Sequence, residues 1–361
     1  MPTNVSPEYK KAEAEFRGAR DPHERLRCLK EMLRTIPKHK GTERLQADIK
    51  TRIKVLTDEL AGPKKSGART GPAQAVRPEG AAQLSLVGPP NAGKSSLLAR
   101  LTGSATEIGS YPYTTKWPIP GMLPYEDVHF QLVDLPPISA DFMEPWYVNA
   151  LQSSDAALLV VDLADPESLD HVQAIREKLD AKRVSMIEEW PSSESGGVGT
   201  QEAATAVSAP PAATAPGGSG DDEEVPDPFR LRLPTLLLAN KSDLDPDPGE
   251  VAVLEELLGV RYPALAVSAL TGEGLGGIAP FLFRRLGIVR VYTKAPGRPA
   301  DAGRPYTLRL GATVQDVARL VHRELAASLK FARVWGSGRF DGQQVGPDHA
   351  VADRDILELH S

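Results

Sequence analysis

Apolar and polar positions recur with a helical period over the first sixty residues of the chain. Asp21 and Pro22, followed by Glu24 three positions after the cap, are typical of a helix start. A basic turn then separates two amphipathic segments. Because a short connection makes consecutive helices antiparallel neighbours, residues 1–62 are predicted to form a helical hairpin.

Between residues 81 and 287 the pattern changes to short apolar runs that alternate with amphipathic segments. The runs predict strands at Gln83–Val87, Val128–Leu135, Ala156–Asp162, Thr235–Asn240 and Ala264–Ser268. The segments between them predict helices after Lys94 and at Met143–Gln152, Glu167–Leu179, Glu250–Leu258 and Leu275–Leu286. This alternation is typical of an α/β fold with a mostly parallel sheet and helices on both faces.

Two polar stretches and a third folded unit complete the predicted organisation. Residues 63–80 are rich in Gly, Pro, Lys and Arg and predict a linker. Residues 192–227 contain almost no large apolar side chains and predict a disordered insert. Residues 288–361 show strand patterns around one helical pattern, at Val314–Leu329, and predict an α+β roll of the ubiquitin-like, β-grasp kind.

Composition narrows the class of protein. Hydrophobic residues make up 41% and charged residues 25% of the chain, which is ordinary for a globular protein with a buried core. A single cysteine, Cys28, excludes an internal disulfide framework and fits a reducing compartment. No apolar run reaches the length of a membrane span, and residues 1–11 lack a secretory signal pattern, so we expect a cytoplasmic protein without a membrane partner.

Charge is distributed unevenly along the chain. Residues 1–77 carry 18 Lys and Arg against 10 Asp and Glu, residues 78–287 carry 13 against 30, and residues 288–361 carry 11 against 8. The two ends, not the acidic middle, are therefore expected to meet any polyanion. In the hairpin the candidate phosphate contacts are Lys38, Lys40, Arg44, Lys50 and Lys54. A solvated packing surface explains them equally well.

The chemistry-bearing motif with the strongest signal is a phosphate-binding loop. Residues 88–95 read Gly-x-x-x-x-Gly-Lys-Ser and follow a predicted buried strand directly before a predicted helix. Backbone N–H groups of such a loop cradle nucleotide phosphates, a lysine neutralises them and the hydroxyl group holds Mg²⁺. The predicted binding residues are Gly88, Pro89, Pro90, Asn91, Ala92, Gly93, Lys94, Ser95 and Ser96.

Motifs at other predicted strand ends identify the metal and the base. Asp134 ends a strand where a carboxylate can reach the Mg²⁺ shell. Asn240-Lys241-Ser242-Asp243 follows another apolar strand, and a carboxylate there can accept hydrogen bonds from the ring N–H and the amino group of guanine. Adenine lacks that edge and would leave the acid unpaired. Backbone N–H groups of Ser268 and Ala269 are candidates to bind the guanine carbonyl. Together, these motifs predict binding of GTP and GDP.

With these motifs the sequence resembles the Obg-related GTPases, and most closely the developmentally regulated GTP-binding protein branch with its C-terminal TGS domain. The resemblance rests on the loop with its Pro90-Asn91 pair, on Tyr111-Pro-Tyr-Thr-Thr115, and on the segments at 134–136, 240–243 and 268–269. Segments beginning at Ile288, Val334 and Val345 resemble the TGS portion. The resemblance implies a GTPase domain at residues 81–287 and a TGS domain at residues 288–361.

The resemblance also implies roles that the residues alone do not establish. Thr115, with Thr114 as the alternative, is implied as the switch threonine that binds Mg²⁺ and senses the γ-phosphate. Lys94, Thr115 and Asn91 are then the catalytic set, with Asn91 helping to hold a K⁺ beside the phosphates. A ribosome or structured RNA is the implied partner, reached through the basic hairpin and the TGS domain, and no DNA partner is expected.

Two departures from the family pattern leave alternatives open. The third box reads Asp134-Leu-Pro-Pro137, where Pro137 replaces a glycine whose N–H contacts the γ-phosphate. A hydrogen bond of roughly 1.5–3 kcal/mol is then missing. Ile138 stands where other GTPases carry a glutamine that orients water. The favoured function is a slow, K⁺-stimulated GTPase, and the alternatives are a non-catalytic nucleotide-responsive adaptor and an RNA-binding module.

Overall fold

The computed structural model describes residues 6–19, 21–37, 42–60, 76–103, 117–140, 142–191, 227, 229–244, 253, 256, 259, 261–300 and 303–361. The predicted insert at 192–227 lies outside these residues except for Asp227, and so do most of the predicted linker and most of the predicted helix Glu250–Leu258. The chain divides into two compact units. Residues 1–71 and 199–230 form one unit, and residues 72–198 and 231–361 form the other.

The first unit contains three helices within the described residues, α1 (Pro7–Gly18), α2 (Pro22–Thr35) and α3 (Glu43–Leu60). Helices α2 and α3 correspond to the predicted hairpin, and α1 is an additional helix that the hairpin prediction did not include. Its N-terminus is capped by the hydroxyl oxygen of Ser6, which accepts a hydrogen bond from the Tyr9 N–H at 3.1 Å. The buried face of α1 carries Tyr9 and Phe16, and the ring of Phe16 packs edge-on against Phe229 at 5.8 Å.

Within the described residues, the second unit contains two sheets. The larger sheet comprises β1 (Ala82–Val87), β2 (Ile119–Tyr125), β3 (Val128–Asp134), β4 (Ala156–Asp162), β5 (Val184–Ile187), β6 (Leu231–Asn240) and β7 (Ala264–Ala266). Its strand order is β2-β3-β1-β4-β6-β5, and β7 pairs with the second half of β6. The β2–β3 pair is antiparallel, whereas the other pairings in this sheet are parallel. The central strands are buried on both faces because helices cover them, as apolar runs predict.

Four helices accompany the larger sheet in the described part of the chain. They are α4 (Lys94–Thr102), α5 (Tyr147–Leu151), α6 (Ser168–Ala181) and α7 (Ile278–Arg285), the last preceded by a 3-10 turn at Leu275–Gly277. Strands β1, β3 and β4 match their predicted ranges within a residue. The sequence did not predict β2 and β5, and α5 is shorter than predicted.

The smaller sheet is formed by β8 (Ile288–Thr293), β9 (Tyr306–Arg309), β10 (Phe331–Trp335), β11 (Gln343–Val345) and β12 (Asp355–His360), in the order β11-β10-β12-β8-β9. Parallel pairing of β12 with β8 and a helix after the first hairpin give the predicted β-grasp arrangement. The single predicted helix Val314–Leu329 is two helices, α8 (Val314–Val321) and α9 (Arg323–Ser328). They separate at His322, whose backbone is extended and whose ring accepts a hydrogen bond from the Glu324 N–H.

Within the described residues, no helix is both long enough and apolar enough to cross a membrane.

Candidate nucleotide-binding site

The predicted motifs meet at one edge of the larger sheet. The parallel strands β1, β4 and β6 end at this edge together with β3, and the loops that follow them carry the motif residues. Open α/β sheets bind ligands at the carboxyl ends of their strands. Sequence segments that are far apart along the chain therefore converge where a nucleotide is expected.

The phosphate-binding loop runs from Gly88 to Gly93, and α4 begins directly after it. Gly88 passes close to β4, and a Cβ atom at this position would lie 2.4 Å from the carbonyl oxygen of Val160. Asn91 and Gly93 adopt left-handed backbone angles, with φ of 61° and 91°. The loop thus places glycine where a side chain cannot fit, and asparagine where the backbone favours only a few residue types.

Lys94, the first residue of α4, is buried and turns back over the loop. Its ammonium group donates hydrogen bonds to the carbonyl oxygens of Gly88 at 3.0 Å and of Pro89 at 2.7 Å. Burial lowers the pKa of Lys94 to about 8, although the charge of Asp134 opposes this shift. The positive charge is therefore held against the loop, where nucleotide phosphates are expected to bind.

Ser95 and Asp134 form a pair suited to Mg²⁺. The hydroxyl group of Ser95 donates a hydrogen bond to the Asp134 carboxylate at 2.5 Å, although the two residues are 39 positions apart. Oxygen donors of this kind are the ligands that Mg²⁺ prefers. Tyr147 is fully buried near Asp134, and burial and the aspartate charge raise its pKa well above the ordinary value. The donor set fits the metal that the sequence implies.

Asn240 connects the phosphate-binding loop to the base-recognition loops. Its amide nitrogen donates to the carbonyl oxygen of Ala92 at 2.8 Å, and its amide oxygen accepts from the Ala269 N–H at 3.1 Å. A Cβ atom on Gly93 would lie 2.2 Å from this amide nitrogen, so the tether requires glycine there. Asn240 therefore holds the two groups of loops together through its side-chain amide.

Two further residues of the base motif, Asp243 and Lys241, are held by a hydroxyl and an acid partner. Ser268 donates its hydroxyl hydrogen to the Asp243 carboxylate at 2.5 Å, which orients that carboxylate. Lys241 pairs with Asp162 at 2.5 Å. Sequence reasoning did not select Asp162, although it ends a predicted strand beside the motif and is paired in register with Asn240.

The segment after Asp134 packs against the phosphate-binding loop. Pro136, Pro137 and Ile138 are buried, and the Ile138 N–H donates to the carbonyl oxygen of Gly88 at 3.2 Å. Proline at 137 has no N–H to offer, and the next N–H along the chain is already bonded to the loop. This geometry agrees with the departure from the usual third box.

The remaining candidates are distributed as follows. Thr114, Thr115, Lys38 and Lys40 lie outside the described residues, and so does the side chain of Arg44. Lys50 and Lys54 are exposed on α3. Pro89 and Ala92 are buried in the loop, and Pro90 and Ser96 are half-buried.

Both sheets lie in regions of the chain that match the models of known families. Residues 83–189 match the model of a family described as 50S ribosome-binding GTPase, and residues 289–361 match the model of the TGS domain. This chain carries a P-loop GTPase domain followed by a TGS domain. The larger sheet belongs to the GTPase domain and the smaller sheet to the TGS domain.

Similar proteins extend over nearly the whole chain. An uncharacterized GTP-binding protein of Methanocaldococcus jannaschii is 27% identical in an alignment 375 positions long. The alignment covers 93% of this chain and 92% of that protein. Developmentally-regulated G-protein 1 of Arabidopsis thaliana is 28% identical over 369 residues, covering 91% and 88%. The resemblance to the developmentally regulated GTP-binding proteins is therefore confirmed.

A solved structure is similar in fold to most of this chain. The YchF GTPase of Schizosaccharomyces pombe aligns with a TM-score of 0.51 and 14% sequence identity, covering 80% of this chain and 100% of that chain. At this identity the likeness concerns the fold alone.

Proposed function

We propose that this protein hydrolyses GTP to GDP and phosphate with Mg²⁺, slowly and with stimulation by K⁺. The observation that supports this most strongly is the tether of Asn240, which joins the phosphate-binding loop to the base-recognition loops through two hydrogen bonds. A phosphate site and a base site are thereby held at a fixed distance in one continuous binding surface.

Each residue has a defined part in this reaction. Lys94 neutralises charge on the β- and γ-phosphates. The Asp243 carboxylate, which Ser268 orients, accepts hydrogen bonds from the guanine N–H groups. Ser95 and Asp134, with Thr115, would hold Mg²⁺. When bound there, Mg²⁺ would stabilise the negative charge that develops on the phosphate oxygens. Asn91 is proposed to hold K⁺, because its side chain is exposed on the loop beside the phosphate site.

The slow rate follows from the segment after Asp134. No amide hydrogen is available at Pro137, Ile138 donates its own to Gly88, and the Ile138 side chain cannot polarise a water molecule. The same features favour a second candidate function, a non-catalytic adaptor that responds to GTP and GDP. A partner that remodels this segment would convert the second function into the first.

A ribosome or structured RNA is the proposed partner, and the cytoplasm is the proposed location. The support is the excess of Lys and Arg at both ends of the chain and the exposure of Lys50 and Lys54 one turn apart on α3. Binding through such contacts weakens steeply with salt.

Phosphate release from GTP, measured in K⁺ and in Na⁺ with and without ribosomes, tests the proposal. We expect slow release, faster in K⁺ and faster again with ribosomes. Tight binding of both nucleotides with no release under any of the four conditions would favour the adaptor.

A further inference from the structure

A buried arginine of the TGS domain reaches into the GTPase domain. Arg290 lies on β8 with a side chain that is only 4% exposed. Within the TGS domain its guanidinium donates two hydrogen bonds to Asp353, at 2.9 and 2.7 Å. Across the domain boundary it donates to Asp127 at 2.8 Å and also to Glu126. Glu126 and Asp127 form the turn between β2 and β3.

Neighbouring side chains complete this ionic cluster. The hydroxyl group of Tyr292 donates to Asp127, and Arg354 donates to Glu126 at 3.0 Å. The Arg290 guanidinium also lies 4.7 Å from the ring centre of Phe283 on α7. Bidentate and charge-assisted contacts of this kind fix geometry more strongly than a single surface ion pair.

Two residues of the cluster adopt backbone conformations that are uncommon for their residue types. Glu126 and Arg354, which pair with each other, adopt φ of 48° and 69°. Glycine and asparagine favour this left-handed region, and other residues are uncommon there. Glycine or asparagine would suit a tight hairpin turn better than glutamate does.

The turn is one end of a ladder whose other end is the nucleotide site. Strands β2 and β3 pair in continuous register from Tyr125 with Val128 to Ile119 with Asp134. At about 3.4 Å per residue, the ladder spans about 20 Å. Asp134 then leads to Ile138, whose N–H is bonded to Gly88.

A second ion pair joins the two domains without touching this hairpin. Arg309 on β9 pairs with Asp155 at 2.9 Å, and Asp155 directly precedes the central strand β4. Loss of this pair would loosen TGS docking at the centre of the sheet. It therefore offers a matched control for contacts that act specifically on the hairpin.

We propose that Arg290 is a positioning residue for the nucleotide site: it clamps the β2–β3 turn to the TGS domain and so favours the arrangement in which Ile138 is bonded to the phosphate-binding loop. Release of the clamp then raises affinity for GTP relative to GDP, because the segment after Asp134 is freer to rearrange around a γ-phosphate. Such coupling is reciprocal, so GTP loosens the clamp. This inference rests on the proposed function.

The test compares affinities for a non-hydrolysable GTP analogue and for GDP, by calorimetric titration of the full chain. Arg290→Gln should raise the preference for the analogue about 5-fold, the lower end of measured coupling between sites. The double variant Glu126→Asn, Asp127→Asn should act in the same direction, since asparagine suits the turn and Arg290 keeps Asp353. Arg309→Gln should leave the preference unchanged.

A general loss of stability weakens the binding of both nucleotides together and does not bias the ratio of the two affinities toward either one. A change in this ratio therefore reports an effect on the nucleotide site. An unchanged ratio in both clamp variants would overturn the inference, and so would an equal change in Arg309→Gln. If Arg290→Gln fails to fold, the double variant decides alone. A wild-type protein that binds neither nucleotide would overturn the proposed function, and the inference with it.

Discussion

At the scale of single residues, the phosphate-binding loop depends on the absence of a side chain at two glycine positions as well as on the side chains that it carries. Gly88 and Gly93 each occupy a position where a Cβ atom would collide, with a backbone carbonyl in one case and with the Asn240 amide in the other. The buried lysine that follows is held by those same loop carbonyls. Small residues thus bring the backbone and one charge close enough to bind phosphate.

The lowered pKa of Lys94 makes nucleotide affinity depend on pH. Bound phosphates favour the ammonium form, so binding takes up a proton at pH values between about 8 and the higher pKa of the complex. Affinity for GDP should therefore fall by up to about tenfold per pH unit above pH 8. Titrations across this range measure the effect.

Lys94→Arg is the matched control, because a guanidinium stays charged throughout the range. Ionisation of the guanine base affects both proteins equally, so the difference between them isolates the lysine. Parallel pH profiles for the two proteins would contradict the assignment.

Asn91 has two explanations that a substitution can separate. Its φ of 61° suits the turn, whereas the proposed role in K⁺ binding requires its amide. Asn91→Gly keeps the backbone conformation at little cost and removes only the amide. We expect K⁺ stimulation of phosphate release to be lost while GDP affinity stays within about twofold. Persistent stimulation in the variant would show that Asn91 serves the turn alone.

At the scale of elements, we expect the segment after β3 to decide how the site distinguishes GTP from GDP, because its Ile138 N–H is bonded to the phosphate-binding loop. Pro137→Gly restores an N–H where the usual third box has one, and a γ-phosphate can accept it. That hydrogen bond is worth roughly 1.5–3 kcal/mol, and the added chain freedom opposes it by about 1 kcal/mol. We expect the preference for a GTP analogue over GDP to widen about 10-fold in calorimetric titrations.

Pro136→Gly provides the control, because it adds similar freedom one residue away from the required donor. An unchanged ratio in Pro137→Gly would mean that another donor already meets the γ-phosphate. An equal change in both variants would assign the effect to flexibility.

Local sequence signals predicted the elements that are buried on both faces and missed those at the margins of the sheet. Strand β4 was predicted residue for residue because it is a continuous apolar run. Strand β2 contains Pro120, Gly121 and Pro124, which indicate a loop, but it lies at the edge of the sheet, where proline is tolerated. The break at His322 carries no proline or glycine signal.

The candidate site shows the same division between local and distant information. Each motif could be recognised in the sequence because its residues are contiguous and follow a predicted strand. The partnership of Lys241 with Asp162 and that of Arg290 with Asp127 join residues 79 and 163 positions apart. Only the pairing of strands in three dimensions brings such charges together.

At the scale of the whole molecule, the ionic cluster between the GTPase and TGS domains should make stability sensitive to acid. Hydrogen bonds from Arg290 and Arg354 lower the pKa of Glu126, and those from Tyr292 and Arg290 outweigh burial to lower the pKa of Asp127. Carboxyl groups with lowered pKa stabilise the folded state above their unfolded pKa, and that stabilisation is lost as pH falls through the folded value.

Melting temperatures of the wild type and of Arg290→Gln should therefore differ at neutral pH and converge as the pH falls below about 5. Other carboxyl groups contribute equally to both proteins, so the convergence reports the cluster. A constant difference across this range would contradict the electrostatic account.

One pocket, held together by the hydrogen bonds of Asn240 and Ser268, is expected to recognise guanine through Asp243. Titration of GTP and xanthosine triphosphate against the wild type and Asp243→Asn tests it most directly, because an asparagine amide pairs with the carbonyl group that replaces the guanine amine. We expect the wild type to prefer GTP, and the variant to lose about 10-fold or more in GTP affinity while gaining affinity for xanthosine triphosphate. Unchanged GTP affinity in the variant would contradict it.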